Sequence, residues 1–298
     1  MNTWDEESIE YLLRAKKEGQ TYQQIADEVG MHAEAVRSKY RHLTGSKGDK
    51  KSETTCNTPT CPQRATKLPL VLDLHQCIVS SDFHTPGENE KAVQALIQYA
   101  TKHKIKHMII GGDFWNQDSV SRWELKDPSM SLPYEIERGL KLIERLTKHM
   151  KLYFVRGNHD VRMCKVINYA LSYSEWMKSI VGNKFGKSVF VTDFDYAYLN
   201  SSGTKFRVCH PDMYSRVKGS QVGMIAHDLQ ENVIMGHQHF FSVSTNKTGR
   251  YICIDSGCMC DPKKFLYKNA STSKCPEWEN AFLHIKGGRV HPITWYTF

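Results

Sequence analysis

The chain has 298 residues and a formal net charge of +8, with 40% hydrophobic and 24% charged residues, which is ordinary for a globular protein. No stretch approaches the roughly 18 unbroken apolar residues of a membrane span, and nine scattered cysteines in so long a chain exclude a small disulfide-stapled fold. The positive charge favours a polyanionic partner. Because the acidic first residues lack the basic and apolar regions of a signal peptide, we expect a cytoplasmic protein with no membrane partner.

Residues 1–45 carry the pattern of three short helices. Capping boxes, in which a side chain satisfies the free amides of a helix start, are predicted at Thr3 with Glu6 and at Thr21 with Gln24. Apolar residues recur at helical spacing in each segment, and Gly30 is expected to end the second helix. The sequence therefore predicts a small all-α domain at the amino terminus.

The third of these helices is predicted to be basic on its outer face. It runs from about residue 32 to residue 43, with three residues facing inward: Val36, Tyr40 and Leu43. The opposite face carries three cations: Arg37, Lys39 and Arg41. A helix, a glycine turn and a basic second helix make up the helix-turn-helix arrangement, and this segment resembles Myb-like and resolvase-like helix-turn-helix modules. The resemblance predicts DNA contact through the three cations; the alternative is a small interaction bundle with a solvated basic face.

Residues 46–67 change to serine, lysine, glycine, threonine and proline, with almost no apolar side chain. This composition predicts a flexible linker of about 20 residues with a typical span of roughly 25 Å. Cys56 and Cys61 lie within it, at a wider spacing than most zinc sites use. Solvent-exposed thiols are therefore favoured there over a structural zinc ion.

From residue 68 to residue 298, strand and helix patterns alternate, which predicts an α/β domain. Short apolar runs predict strands at 70–72, 78–80, 107–110, 153–155, 206–208, 232–235, 251–254 and 281–284. Helical spacing of apolar residues predicts helices at 91–99 and 135–149, and mostly helix over 163–180. The predicted domain boundaries are thus 1–45, 46–67 and 68–298.

Polar clusters follow several of these strands. Asp82 and His84 lie two residues apart, so on an extended chain they point the same way, and His237 and His239 have the same spacing. The other clusters are Gly112-Asp113 with Asn116, Gly157-Asn158-His159-Asp160, and His210. One cluster alone would be weak evidence, since a single histidine on an apolar strand is usually a core residue. Five clusters behind strands indicate a metal centre.

In order, the five blocks resemble the motifs of the calcineurin-like metallophosphoesterases: Asp-x-His, Gly-Asp-x-x-(Asp/Asn), Gly-Asn-His-(Asp/Glu), a lone His and Gly-His-x-His. All five fall within residues 78–240. The resemblance implies a two-sheet αββα sandwich for the large domain. It also implies two metal ions that share Asp113. The first would be bound by Asp82, His84, Asp113 and His239, and the second by Asp113, Asn158, His210 and His237.

The resemblance further implies hydrolysis of a phosphoester by a hydroxide held between two divalent ions. Imidazole, carboxylate and amide ligands suit manganese, iron, zinc or nickel better than calcium, and Mn²⁺ is the ion we expect. His159, beside the second ion but not bound to it, is the predicted general acid. Where the family often has an Asp to orient this imidazole, the chain has Asn116, whose neutral amide would stabilise an imidazolium less.

The family includes DNA nucleases of the SbcD type, nucleotide phosphodiesterases and phosphoprotein phosphatases, which share one core chemistry. The amino-terminal segment and the positive charge favour DNA, so a DNA nuclease is the leading hypothesis. The first alternative is a phosphomonoesterase, nucleotide phosphodiesterase or protein phosphatase, and the second is a catalytically inactive DNA-binding regulator. The fusion of a short helix-turn-helix, a linker and a compact core also resembles proteins encoded by bacteriophages, which would place it in the host cytoplasm. A homo-oligomer is left open.

Several residues near the motifs have two interpretations. Asp160 is expected to brace its loop rather than bind metal. Arg156 and Arg162 flank the site, where each would either contact phosphate or be solvated. Core packing is preferred over base stacking for three aromatic residues: Phe83, Trp115 and Trp123. Reduced core thiols are preferred over a second zinc site for Cys258, Cys260 and Cys275.

Overall fold

The computed structural model describes residues 4, 6–31, 33–44, 68–121, 130–182, 184–265 and 278–294. The chain divides into two compact units, Met1–Gln63 and Arg64–Phe298. Among the described residues, no helix combines the length and the apolar character needed to cross a bilayer. Some predicted features lie outside the described residues: the linker at 46–67 with Cys56 and Cys61, the capping box at Thr3, Trp123 and Cys275.

The first unit contains three helices: α1 (Glu6–Lys17), α2 (Tyr22–Val29) and α3 (Ala33–Thr44). The predicted capping box of Thr21 and Gln24 is confirmed at the start of α2, and Gly30 ends that helix with a left-handed φ of 65°. The helices pack around a small apolar core of Leu12, Ala15, Ile25, Ala26 and Val36. Leu43 was predicted to face this core, but it is 39% exposed. Leu43 lies in the last turn of α3, beyond the buried Val36.

The second unit is built on two six-stranded sheets. The first sheet has the order β1 (Val71–Asp73), β6 (Tyr196–Ser201), β7 (Thr204–Cys209), β8 (Asn232–Met235), β10 (Ile252–Ser256) and β9 (Phe241–Thr245). The second has the order β12 (Arg289–Thr294), β11 (Ala281–Lys286), β2 (Gln76–Ser80), β3 (His107–Gly111), β4 (Lys151–Val155) and β5 (Val189–Val191). Both sheets are mixed: β2, β3, β4 and β5 pair in parallel in one, and β7, β8 and β10 in the other.

The two sheets pack face to face, with helices on their outer sides. Alternating strand residues separate the layers, because successive side chains of a strand point to opposite faces. Ile109 belongs to the core between the sheets, whereas Met108 and Ile110 face the helices. Three helices cover the second sheet: α4 (Glu90–Lys102), α5 (Leu132–Thr147) and α7 (Tyr173–Val181). Helix α8 (Ser220–Leu229) covers the first. The predicted two-sheet αββα sandwich is confirmed.

The mostly helical stretch predicted over 163–180 is divided into two helices. Helix α6 (Arg162–Val166) is a single turn, and α7 starts only at Tyr173. Ser172 and Glu175 form a capping box that fixes this second start. The Ser-x-x-Glu spacing was present in the sequence and would have indicated the break. The break leaves α6 as a separate element directly after the Gly-Asn-His-Asp motif.

Candidate metal centre

The predicted ligands lie at the carboxyl ends of parallel strands from both sheets. Asp82 and His84 follow β2, Asp113 follows β3, and Asn158 follows β4. From the first sheet, His210 follows β7, and the histidine pair His237 and His239 follows β8. Since the carboxyl ends of parallel strands share one edge of a sheet, side chains far apart in sequence meet at that edge.

One group of side chains gathers around Asp82. Its Oδ1 lies 3.0 Å from His239 Nε2 and 3.6 Å from His84 Nε2. The two histidine Nε2 atoms are 3.1 Å apart. Asp113 Oδ2 lies 3.7 Å from His84 Nε2. These four side chains are the set predicted for the first ion.

A second group gathers on the other side of Asp113. The same Oδ2 atom of Asp113 lies 3.1 Å from His210 Nε2. Asn158 Oδ1 lies 3.2 Å from His210 Nε2 and 2.9 Å from His237 Nδ1. These are the side chains predicted for the second ion, and Asp113 reaches both groups. All seven predicted ligands therefore meet in one place, with the shared residue in the middle.

The donor set suits divalent cations. Asp82 and Asp113 are 0% and 1% exposed, and among the described residues their ion-pair partners are histidines rather than lysine or arginine. Two carboxylates buried side by side are unfavourable without a compensating cation. His210 Nδ1 donates to the carbonyl of Gly111 at 2.8 Å, which directs its Nε2 toward Asp113 Oδ2. The residues present thus fit the two-ion site that their motifs imply.

The charges of these groups are strongly coupled. Although burial disfavours ionisation of Asp82, His239 and His210 outweigh it and hold the pKa of this carboxyl well below its usual value. Burial likewise disfavours the charged form of His210, but Asp113 and Asp82 raise its pKa to about 10. Burial and the neighbouring His210 lower the pKa of His237 to about 4. His210 thus carries the compensating positive charge in the protein alone, and bound cations would replace it in this role.

The backbone of the centre is strained at the ligands themselves. Non-glycine residues rarely adopt positive φ, yet five of the seven ligands do: Asp82 (54°), His84 (47°), Asp113 (50°), His237 (84°) and His239 (61°). Such conformations cost of order 1–3 kcal/mol each and cluster at functional sites. The sequence gives no direct signal of this strain.

Two glycines allow the motif loops to approach. A Cβ on Gly157 would lie 2.2 Å from Asp113 Oδ1, and one on Gly112 would lie 2.3 Å from His210 Nδ1. Both distances are shorter than any real carbon contact, so a side chain at either position would displace a ligand. The glycines of these motifs are required by packing as well as by the turns.

Asp160 connects the loops that follow β3 and β4 through hydrogen bonds to their backbones. Its Oδ2 accepts hydrogen bonds from the backbone N–H groups of Asp113 at 2.9 Å and Gly157 at 2.8 Å, and its Oδ1 accepts one from Trp115 at 2.9 Å. Burial, together with the charge of Asp113, raises the pKa of Asp160 to about 7. The expected bracing role is confirmed by these three contacts.

We expected His159 beside the second ion, but it lies beside the first group, with its ring centroid 4.5 Å from that of His84. Its Nδ1 is 3.0 Å from the backbone carbonyl oxygen of Asn116 and donates to it. We expected the side-chain amide of Asn116 to orient this ring, but the contact is with the main chain, and the side-chain Oδ1 is buried without a hydrogen-bond partner. Because a main-chain carbonyl orients the ring, replacing Asp by Asn at this position does not remove the contact.

Arg162 forms hydrogen bonds within the site, whereas the sequence left phosphate contact and solvation both open. Its Nη2 donates to His159 Nε2 at 3.0 Å, and its Nη1 donates to the carbonyl of Asn116 at 3.0 Å. Since arginine only donates hydrogen bonds, Nε2 of His159 must accept. The His159 proton therefore resides on Nδ1 in this arrangement.

A cleft of about 590 Å³ opens beside the second group of ligands. It is lined by Val120, Ser121, Asn158, Arg162, Lys165, Val166, Asp212 and His237. Two of these residues are predicted ligands, so a molecule in the cleft would reach the metal centre. The cleft was not predicted, because its walls come from separate parts of the chain.

Other residues singled out in the sequence lie away from the metal centre. Phe83 and Trp115 are 0% and 1% exposed within the core, which confirms core packing. Cys258 and Cys260 are buried free thiols, and the metal-ligand clusters found among the described residues contain no cysteine. On α3, Arg37 is exposed, and Lys39 Nζ lies 5.9 Å from the ring centroid of Trp4. The side chain of Arg41 lies outside the described part.

Comparison with known proteins gave one family match. A model of the calcineurin-like phosphoesterase superfamily domain matches residues 76–270. Similar solved structures include an archaeal phosphodiesterase (16% identity, 74% of this chain and 99% of that one, TM-score 0.41). Others are Yfce, a phosphoesterase from E. coli (13%, 73% and 98%, 0.39), and Vps29 from Chaetomium thermophilum (11%, 74% and 98%, 0.40). A search of curated proteins gave no match.

Proposed function

The chain belongs to the calcineurin-like phosphoesterase superfamily, and we propose that it is a two-metal DNA nuclease that hydrolyses phosphodiester bonds. The family and the clustered His and Asp residues support a metal-dependent phosphoesterase. The observation that carries the proposal is the pair of ligand groups joined at Asp113, with an open cleft beside the second group.

The two ligand groups define where a phosphate would bind. Two divalent ions, with Mn²⁺ as our choice, would lower the pKa of a water and neutralise charge on phosphate oxygens. Asp113 would hold both ions, and the remaining ligands would fix their separation. His159 lies beside this position and is not one of the seven predicted ligands. Its Nε2 accepts from Arg162, so it would exchange a proton with the substrate only after that bond is released.

Because burial lowers the pKa of His159 well below its usual value, its Nε2 would first have to take up a proton from the attacking water and then donate that proton to the leaving oxygen. Its Nδ1–H is already held by the carbonyl of Asn116, which fixes the ring orientation. Protonation of Nε2 would place a donor opposite Arg162 Nη2, so the guanidinium would have to turn to another acceptor. A phosphate oxygen in the cleft is such an acceptor, and arginine recognises phosphate well.

DNA is proposed as the substrate because of the amino-terminal unit. There a turn with a left-handed Gly30 joins α2 and α3, and a helix-turn-helix also uses a short turn that often contains glycine. Arg37 is exposed on α3, the helix that would enter the major groove. A net charge of +8 also favours a polyanion.

The substrate class can be tested directly. The full chain, loaded with Mn²⁺, is offered linear DNA, circular DNA, a bis-aryl phosphodiester and an aryl phosphomonoester. The proposal predicts hydrolysis of DNA and of the small diester. Turnover of the monoester with DNA left intact would overturn the nuclease function and support a phosphomonoesterase.

The acid role has its own test. His159→Ala should retain metal binding and slow hydrolysis most for diesters with poor leaving groups, since these need the proton most. His227→Ala, at an exposed position of α8, is the matched control and should have no effect. An equal loss across all leaving groups would contradict the acid role of His159.

The role of the amino-terminal unit is tested by deleting residues 1–45. We expect weaker DNA binding with a smaller salt dependence, because phosphate contacts are lost, while hydrolysis of the small diester is preserved. DNA binding that is unchanged by the deletion would assign the unit to assembly rather than to DNA contact.

A further inference from the structure

One exposed loop beside the metal centre carries several large apolar side chains. We call residues 211–218, between β7 and α8, the rim loop. It presents three large apolar side chains to solvent: Met213 (49% exposed), Tyr214 (52%) and Val217 (67%). Clustered exposed apolar side chains often mark a binding surface. A loop that directly follows the metal-ligand candidate His210 is well placed to contact a substrate.

The rim loop is fastened to the metal centre by one buried side chain. Gln238 is 3% exposed and lies between the candidate ligands His237 and His239. Its Nε2 donates to the carbonyl of Met213 at 2.8 Å, and its Oε1 accepts from the N–H of Ser215 at 3.1 Å. Both ends of the amide are used, so the loop backbone is held in a fixed position on the metal-binding loop.

The side chains of the rim loop have further contacts with the same region. The Tyr214 ring lies 6.2 Å from the ring of Phe240, the residue after His239. Lys218 forms an ion pair with Glu279, while Arg216 is exposed. These contacts therefore hold in place the loop that carries the apolar side chains. This makes the loop suitable for recognising a group at a set distance from the ions.

The cleft has two chemically different walls. One wall is α6, which contributes Arg162, Lys165 and Val166. The rim loop contributes Asp212, with Met213 and Tyr214 directly after it. A sugar–phosphate backbone would be attracted to the cations of α6 and repelled by Asp212. The bases of that strand would then point toward Met213 and Tyr214.

We propose that the rim loop is a specificity-determining surface on which an unpaired DNA base next to the scissile phosphate stacks. The proposal rests on the nuclease function and adds the substrate class, which is single-stranded or frayed DNA. In a duplex the base faces are already stacked on one another, so only an unpaired base can lie on Tyr214 and Met213. Aromatic side chains bind bases of single strands in this way without reading the sequence.

The test compares DNA with and without bases. The Mn²⁺-loaded full chain is assayed on a single-stranded oligodeoxynucleotide, on its fully abasic counterpart and on a methyl aryl phosphodiester. The double variant Met213→Ala/Tyr214→Ala should lower kcat/KM on the base-bearing strand by roughly 5- to 150-fold, the equivalent of lost base stacking. Its kcat/KM on the abasic strand and on the small diester should match the wild type.

Two further variants distinguish the loss of base stacking from misfolding of the loop. Met224→Ala/Tyr134→Ala removes side chains of similar exposure, 48% and 43%, outside the rim loop, and should have no effect. Tyr214→Phe keeps the ring and should retain activity on the base-bearing strand. Equal losses on the base-bearing and abasic strands, or no loss on either, would overturn the role of the rim loop. If the wild type hydrolyses the small diester but neither strand, the nuclease function itself is wrong, and this proposal falls with it.

Discussion

The metal centre and the three-helix unit use their polar residues in opposite ways. At the centre, the side chains of Asp82, Asp113 and His210 are buried, and Asp113 contacts His210. On α3, the side chain of Arg37 is exposed to solvent. The internal contacts of the centre indicate its chemistry directly. An exposed cation shows charge and position only, and its role depends on the molecule that it meets.

The local backbone differs between the two regions as well. Five candidate ligands have positive φ, and Gly157 packs against Asp113 too closely for a side chain. In the three-helix unit, the capping box of Thr21 and Gln24 and the left-handed Gly30 are unstrained helix ends. Strain survives only where surrounding contacts enforce it. We therefore expect substitutions to have large effects at the centre and small effects in the helices.

The largest effect is expected from Asp113→Asn. This change removes the carboxylate that reaches both ligand groups, while the shape of the side chain is kept. Activity on a small diester should fall by roughly 10²- to 10³-fold, the usual scale for loss of a group that stabilises transition-state charge. Asp73→Asn, at an exposed site where Asp73 accepts a bond from Asn200, is the control. Activity that survives in Asp113→Asn would contradict a shared ligand.

Removing the metal ions should destabilise the second unit and leave the three-helix unit unchanged. Without cations, Asp82 and Asp113 repel each other inside the protein. In addition, a ligand that binds only the folded state stabilises it by about 3–4 kcal/mol at 100 to 1,000 times its Kd. Treatment with EDTA should therefore lower the thermal midpoint of the second unit, and excess Mn²⁺ should restore it. Hydrogen exchange in α1–α3 should stay the same. A loss of protection in both units would show that the metals stabilise more than the catalytic unit.

Much of the fold and the centre could be predicted because it depends on local patterns. The apolar run before Asp113 forms β3, whose residues Met108, Ile109 and Ile110 are all buried, and the motifs follow such strands directly. Contacts between distant segments could not be predicted. Gln238 holds Met213 across 25 residues, and Arg162 reaches the carbonyl of Asn116 across 46. No periodicity in the sequence encodes either pairing.

A smaller effect is expected from Gly157→Ala. The added Cβ would meet Asp113 Oδ1 at 2.2 Å, so the shared ligand must shift. A misplacement of about 1 Å can cost on the order of 10²-fold in rate, and we expect a loss of roughly 10- to 100-fold in kcat/KM. Gly223→Ala is the matched control, because a Cβ there meets nothing within 4 Å. It lies in α8 and should raise stability by up to about 1 kcal/mol. Equal activity in both variants would show that the packing at Gly157 is unimportant.

The smallest effect is expected on α3. Arg37→Ala should weaken DNA binding a few-fold and reduce the slope of log K against log salt by about 1, as expected for one lost phosphate contact. Lys17→Ala removes another exposed cation, from the end of α1, and should leave both quantities unchanged. Fluorescence anisotropy over a salt series measures them. If both variants weaken binding equally, the unit attracts DNA through its total charge. If only Arg37→Ala weakens binding, DNA contacts a defined surface of α3. The position of an exposed cation then determines its role, as position does for the buried ligands.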